Sequence, residues 1–108
     1  MRRIVGYGLV GHEPIALYDI LEWGRTFESL RIGGRHIVAQ DYVGPTLVST
    51  VFVGIDYSFG RGVPLLFETM TFDTESDVRD RYATWDEAEA GHRKVVAWLT
   101  ANLVGATN

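Results

Sequence analysis

The closing stretch "TWDEAEAGHRKVVAWLTANL", residues 84–103, limits the fold more than any other part of the chain. Thr84 is an N-cap and Glu87 follows three residues later, the spacing of a capping box in which each side chain satisfies the other's backbone N–H. Trp85, Ala88, His92, Val95, Val96 and Leu99 fall within roughly a 100° arc at 3.6 residues per turn, a stripe that must be buried. Glu89 and Arg93 are placed to pair at i, i+4. Ala90, Ala97 and Ala101 share another face with Trp98 beside them, which is either packed on a second helix or offered to a partner. A helix of about 85–102 with so broad an apolar stripe demands a second layer.

The rest of the chain supplies that layer. "DILEWGRTFESL" opens with Asp19 as N-cap and Glu22 three residues on, and Ile20, Trp23, Phe27 and Leu30 make one helical stripe. Gly24 lies beside the stripe, and Gly33-Gly34 is expected to stop the helix by supplying positive φ. Residues 3–10 read as a strand ended by Gly11 and by Pro14, which cannot donate to a ladder. "RHIVAQDYV" (35–43) and "TLVSTVFVG" (46–54) read as strands joined by the turn dipeptide Gly44-Pro45, and "PLLFETMTF" (64–72) as a third. Between the last two, "IDYSFGRGV" is too long for a tight hairpin and is where binding groups would concentrate. The order predicts an α+β fold in a single domain, residues 1–108. It is a small antiparallel sheet of three to four strands packed by an N-proximal helix (about 19–31) and a longer C-terminal helix (about 85–102).

Composition excludes several classes. Without cysteine there is no disulfide, thiolate metal site or thiol nucleophile. No apolar run approaches the roughly 20 residues that span a bilayer, so a cytoplasmic protein with no membrane association is expected. A net charge of −4 argues against nucleic-acid binding, which needs clustered cations. Seven of the fourteen acids lie between Asp73 and Glu89, against Arg79 and Arg81. That segment reads as a solvated loop leading into an acidic first helical turn, with a docking surface as the alternative. Its charge is too small for a DNA mimic.

One textual motif invites a cofactor. Gly6, Gly8 and Gly11 in "IVGYGLVGHEP" match G-x-G-x-x-G behind an apolar run. A dinucleotide loop needs a helix starting at its last glycine, whereas the capping signal here puts the start at Asp19. The residue about 20 after Gly11 is Arg31 and not an acid. The glycines therefore read as strand and turn glycines, and no cofactor is expected.

The groups with chemical potential are few. Glu68 sits in a run whose neighbours on both sides look buried, so its carboxylate needs an arginine or hydrogen-bond donors, or else acts as general acid/base or metal ligand. Asp56 ends a strand in "DYSFG", where it either forms a turn or faces Glu68 as a carboxylate pair for a divalent cation. His92 lies on the apolar stripe, packed with one nitrogen hydrogen-bonded to the sheet or else turned into a site with the other two. Asp56, Glu68 and His92 are thus the candidate ligand or metal site, with no residue assigned as catalytic. Ser49-Thr50 could supply hydroxyls but lies in no nucleophile elbow. Tyr7, Tyr18, Tyr42 and Tyr57 could line a cleft or simply fill the core, and His12 and His36 carry no metal spacing.

Three blocks, "VSTVFVGIDYSFG" (48–60), "PLLFETMTF" (64–72) and "RYATWDEAEAGH" (81–92), together with a looser one, "GHEPIALYDILEWGRTFE" (11–28), resemble a family of short proteins of actinobacterial phages and prophages. The family typically has a histidine after the loop aspartate and a glycine after the final strand's phenylalanine; this chain has Tyr57 and Asp73 there. The resemblance implies a phage origin and no particular mechanism. It adds weight to Asp56, Glu68, Thr84, Trp85 and His92 as positions of the family pattern. The function expected is that of a phage-type accessory protein binding a host or phage protein without catalysis, through the Ala90, Ala97, Trp98 and Ala101 face, which could also serve a homodimer. A small enzyme or metal-binding module using Asp56, Glu68 and His92 is the first alternative, and a minor virion component the second.

Overall fold

The computed structural model describes residues 3–72 and 78–106. The chain forms β1 (Gly6–Val10), β2 (Glu13–Leu17), α1 (Ile20–Ile32), β3 (Ile37–Val43), β4 (Thr46–Phe52), β5 (Phe67–Phe72), β6 (Arg79–Tyr82) and α2 (Trp85–Ala106). β1 and β2 are an antiparallel hairpin, and β3-β4-β5-β6 make a four-stranded antiparallel meander. The α+β expectation is met, with a longer C-terminal helix, but with two more strands than the sequence reading places and two sheets in place of one.

Local chemistry explains most of the boundaries. At α2, Glu87 N donates to Thr84 Oγ1 and Thr84 N to Glu87 Oε1, both at 3.1 Å, so the capping box closes reciprocally. At α1, Asp19 caps Leu21 N at 2.8 Å, but the return bond from Glu22 is not made. Gly33 ends α1 with ordinary helical φ, and positive φ falls on Gly34 alone, a correction to the expected pair. Arg35 reaches back to the Ser29 carbonyl and hydroxyl and secures that end.

Two strands were missed. Pro14 does not end the first β region; it sits inside β2 opposite Leu9, in a two-stranded sheet where an absent N–H is tolerated. β6, "RDRY", has no apolar alternation and was read as acidic loop, yet it pairs with β5 through Glu68↔Arg81 and Thr69↔Asp80. Of the expected acidic surface, residues 73–77 lie outside the described residues, and Asp86, Glu87 and Glu89 are on α2.

The hairpin and α1 pack at one end of the meander. Tyr7 N and Trp23 Nε1 both donate to the Gly54 carbonyl, at 2.8 and 3.1 Å. Trp23 lies so close over Gly6 that a Cβ there would overlap its indole, which is why β1 carries glycine at that point. His12, in the hairpin turn, stacks on Trp85 at the start of α2 with centroids 3.8 Å apart. One core cluster gathers Leu9, Leu30, Phe52, Leu66, Phe67 and Ala88; the second joins Val48 to Val95 and Leu99.

α2 covers one face of the meander. Strand residues alternate between faces, so Val48, Thr50 and Phe52 of β4 and their partners Thr71, Thr69 and Phe67 of β5 all face α2. Ser49, Val51, Glu68, Met70 and Arg81 occupy the opposite face. The i, i+4 pair expected between Glu89 and Arg93 is not formed; among the described residues Glu68 pairs with Arg81, and Asp41 is hydrogen-bonded to His92.

Candidate functional site

The alternation of faces decides the fate of the three candidate residues. Glu68 is on the face turned away from α2, where its Oε2 accepts from Arg81 Nε at 3.0 Å. Arg81 is itself laid over the Tyr57 ring, 4.3 Å from its centroid. Asp56 sits in the β4–β5 loop, its Oδ1 accepting from Ser58 N at 2.7 Å and Leu65 N at 3.0 Å. Burial would raise the Asp56 pKa, but hydrogen bonds from Ser58 and from the Leu65 and Gly60 amides outweigh it and hold the carboxyl below its usual range. His92 is on α2, facing β4. Each side chain has its own partners, and no cluster of three or more His, Cys, Asp or Glu suited to a metal exists among the described residues.

His92 instead anchors a chain of hydrogen bonds. Its Nε2 meets Asp41 Oδ2 of β3 at 2.7 Å, and its Nδ1 meets Thr50 Oγ1 of β4 at 2.7 Å. Thr50 Oγ1 continues to Thr69 Oγ1 of β5, and Thr69 bonds Tyr82 of β6. Five side chains from α2 and all four strands are thereby linked across the sheet. Asp41–His92–Thr50 has the order of an acid, base and hydroxyl nucleophile. The access is wrong for that chemistry: Thr50 is 0% exposed and His92 3%, so no substrate carbonyl reaches the hydroxyl. What remains open to solvent is the Asp41 end, with its side chain 57% exposed, while Tyr82 at the other end is half-buried.

Burial raises the Tyr82 pKa above the ordinary phenol value, the Thr69 bond opposing and the charge of Asp80 adding to it.

Tyr82 also forms part of a cleft between α2 and β6, about 630 Å³ in volume. Its apolar wall is Val78, Tyr82, Gly91, Val95 and Trp98, with Ala90 at the helix side. Asp80, Glu87 and Lys94 stand at its rim. Gly91 has no side chain because the Tyr82 ring occupies that space; a Cβ would overlap it. Trp98 is 49% exposed. Of the interface residues expected from sequence, Ala90 and Trp98 line the cleft, while Ala97 and Ala101 are exposed on α2. α1 packs on the hairpin, so the second face of α2 is not filled by the first helix.

β6 is the edge of the sheet. The carbonyls of Val78 and Tyr82 accept from Thr71 N and Leu66 N of the β5 side. By alternation, the backbone N–H and C=O of Arg79 and Arg81 point away from β5, along the margin of the cleft.

Asp41, Thr50, Thr69 and Tyr82 were not singled out together by sequence reasoning, which considered Thr50 only as a nucleophile. A signal for them existed: Thr50 and Thr69 sit within apolar strands, where a hydroxyl on the core face must find a partner, and His92 is the polar residue on the facing helical stripe. No helix among the described residues is long and apolar enough to cross a membrane. Comparison with protein-family models, with curated proteins and with solved structures finds no match.

Proposed function

We propose that this chain is a phage-type accessory protein that acts by binding a host or phage protein, without catalysis, and that it takes an extended segment of that partner along the β6 edge. The observation that carries this reading is the pairing of a strand edge, unpaired by any further strand among the described residues, with an apolar cleft directly beside it. Strand addition gains main-chain hydrogen bonds along such an edge, and alternate side chains of the added segment enter a neighbouring pocket. Here Arg79 and Arg81 supply the outward backbone groups, and the cleft under Trp98 supplies the pocket. The resemblance of residues 48–60, 64–72 and 81–92 to phage and prophage proteins supports the setting, a bacterial cytoplasm.

A displayed library of random peptides, selected on the full chain, tests the proposal. Ala90 lines the cleft, so Ala90→Arg, which fills its mouth, is expected to weaken selected peptides by about tenfold or more, as loss of an anchor pocket does. Peptides that bind the variant as well as the parent would rule out this surface.

A further inference from the structure

We infer that the sheet face turned away from α2 is a self-association surface, on which a second copy of this chain packs its own sheet face about a two-fold axis parallel to the strands.

The register sets this face out in three rows. Tyr42, Leu47 and Phe72 form the first, Gln40, Ser49, Met70 and Arg79 the second, and Val51, Glu68 and Arg81 the third. An antiparallel sheet with one solvated face alternates apolar and polar residues, the polar ones outward. Here β4 and β5 are apolar on both sides. Val48, Phe52 and Phe67 turn to α2, while Leu47, Val51, Met70 and Phe72 turn away from it. α2 packs on the first face and α1 on the hairpin, so no described helix covers the second. Tyr42 is 73% exposed and Phe72 45%, with Leu47 between them in the same row. Apolar residues on both sides are the pattern of a sheet with a layer on each face.

Charge and size identify that layer as a second copy. Among the described residues of the face Glu68 is the only acid, and Arg81 neutralises it at 3.0 Å. Two copies of a chain of net charge −4 therefore meet here without setting acid against acid. A two-fold axis across the strands would stack β6 on β6 and oppose Arg79 and Arg81 to their own copies. An axis along the strands stacks β3 on β6 and β4 on β5 of the other copy. Leu47 then meets the partner's Phe72, and Gln40 meets the partner's Arg79. Gln40 Nε2 is committed to Ser49 Oγ at 3.0 Å, which leaves the carboxamide oxygen to accept from that guanidinium. Four strands about 4.8 Å apart and three rows about 6.8 Å apart give each copy a footprint of about 400 Å², the small end of specific interfaces, so the dimer is reversible and not obligate. The α2–β6 cleft lies on the other side of the sheet, so this contact is independent of strand addition.

Sedimentation velocity on the full chain tests the inference. A monomer–dimer equilibrium with Kd on the order of 10–100 µM is expected. Phe72→Glu and Tyr42→Glu should each weaken it by about tenfold or more, as loss of an interface anchor does. Both sites are exposed, and melts at monomeric concentration should show each fold retained; should one variant unfold, the other decides. Gln40→Glu should tighten the dimer and Gln40→Arg loosen it, because the partner's Arg79 stands opposite. Ala97→Arg, on the exposed side of α2, should change nothing. A chain that stays monomeric at about 1 mM overturns the inference. So does a dimer lost in Ala97→Arg and kept in Phe72→Glu, or a monomer that uses Phe72 and Tyr42 to bind an oligo-dT strand. Gln40 variants that shift the equilibrium in the same direction overturn the placement of the axis.

Discussion

Thr50 lies between His92 and Thr69 with no exposure, so its hydroxyl can be removed with little change of shape. Thr50→Val leaves His92 Nδ1 and the Thr69 hydroxyl without this buried partner, and is expected to destabilise the fold by about 1–3 kcal/mol in chemical denaturation. Thr50→Val with Thr69→Val should fall short of the sum of the single changes, since the two hydroxyls each lose a partner already removed. Strict additivity would show that they do not form one chain. Asp56 gives the pH-dependent counterpart. Its carboxyl is held below its usual range in the folded state, so its stabilisation is present above the unfolded value of about 3.9 and is lost as pH falls through the lower folded one. The stability gap to Asp56→Asn, on the order of 1 kcal/mol at pH 6 given its partial exposure, should therefore narrow steadily as pH falls below the unfolded value. A gap that widens in acid would contradict the assignment. At this scale the sequence made legible what each polar group had to find, an arginine or other donors for Glu68 and a turn for Asp56. It did not make legible which face each would use, because the strand register that separates Glu68 from Thr69 is a tertiary property.

Among the elements, α2 was the most readable, because its cap and stripe are encoded within a few residues of each other. Thr84→Ala should lower stability by about 1 kcal/mol, read as a fall in the thermal midpoint. Gly91→Ala tests a different contact: the added methyl meets the Tyr82 ring and must push it, with an expected loss of about 1–3 kcal/mol and an altered Tyr82 environment by NMR. An unaffected Tyr82 would mean that the ring does not pack on the helix as described. β2 and β6 were the elements that sequence pattern hid. Proline masks β2, and a charged run of four residues masks β6; both are short strands at a sheet edge, where pairing with a neighbour and not intrinsic pattern decides the conformation.

Taken as a whole molecule, the fold puts its buried polar groups and its accessible surface on one line. The hydrogen-bonded chain begins at exposed Asp41 on β3, crosses beneath α2, and ends at Tyr82 in the cleft beside β6. The chain thus ends at a cleft that lies beside the β6 edge, where we propose that a partner segment adds. This arrangement could not be read from the chain alone, since it needs residues 41, 50, 69, 82 and 92 from five elements. The account stands or falls on strand addition at β6. Amide hydrogen exchange of Arg79 and Arg81, followed with and without a saturating selected peptide, measures it directly. Both outward amides should exchange rapidly in the free chain and become strongly protected in the complex; unchanged exchange at both positions, with the peptide bound, would contradict it.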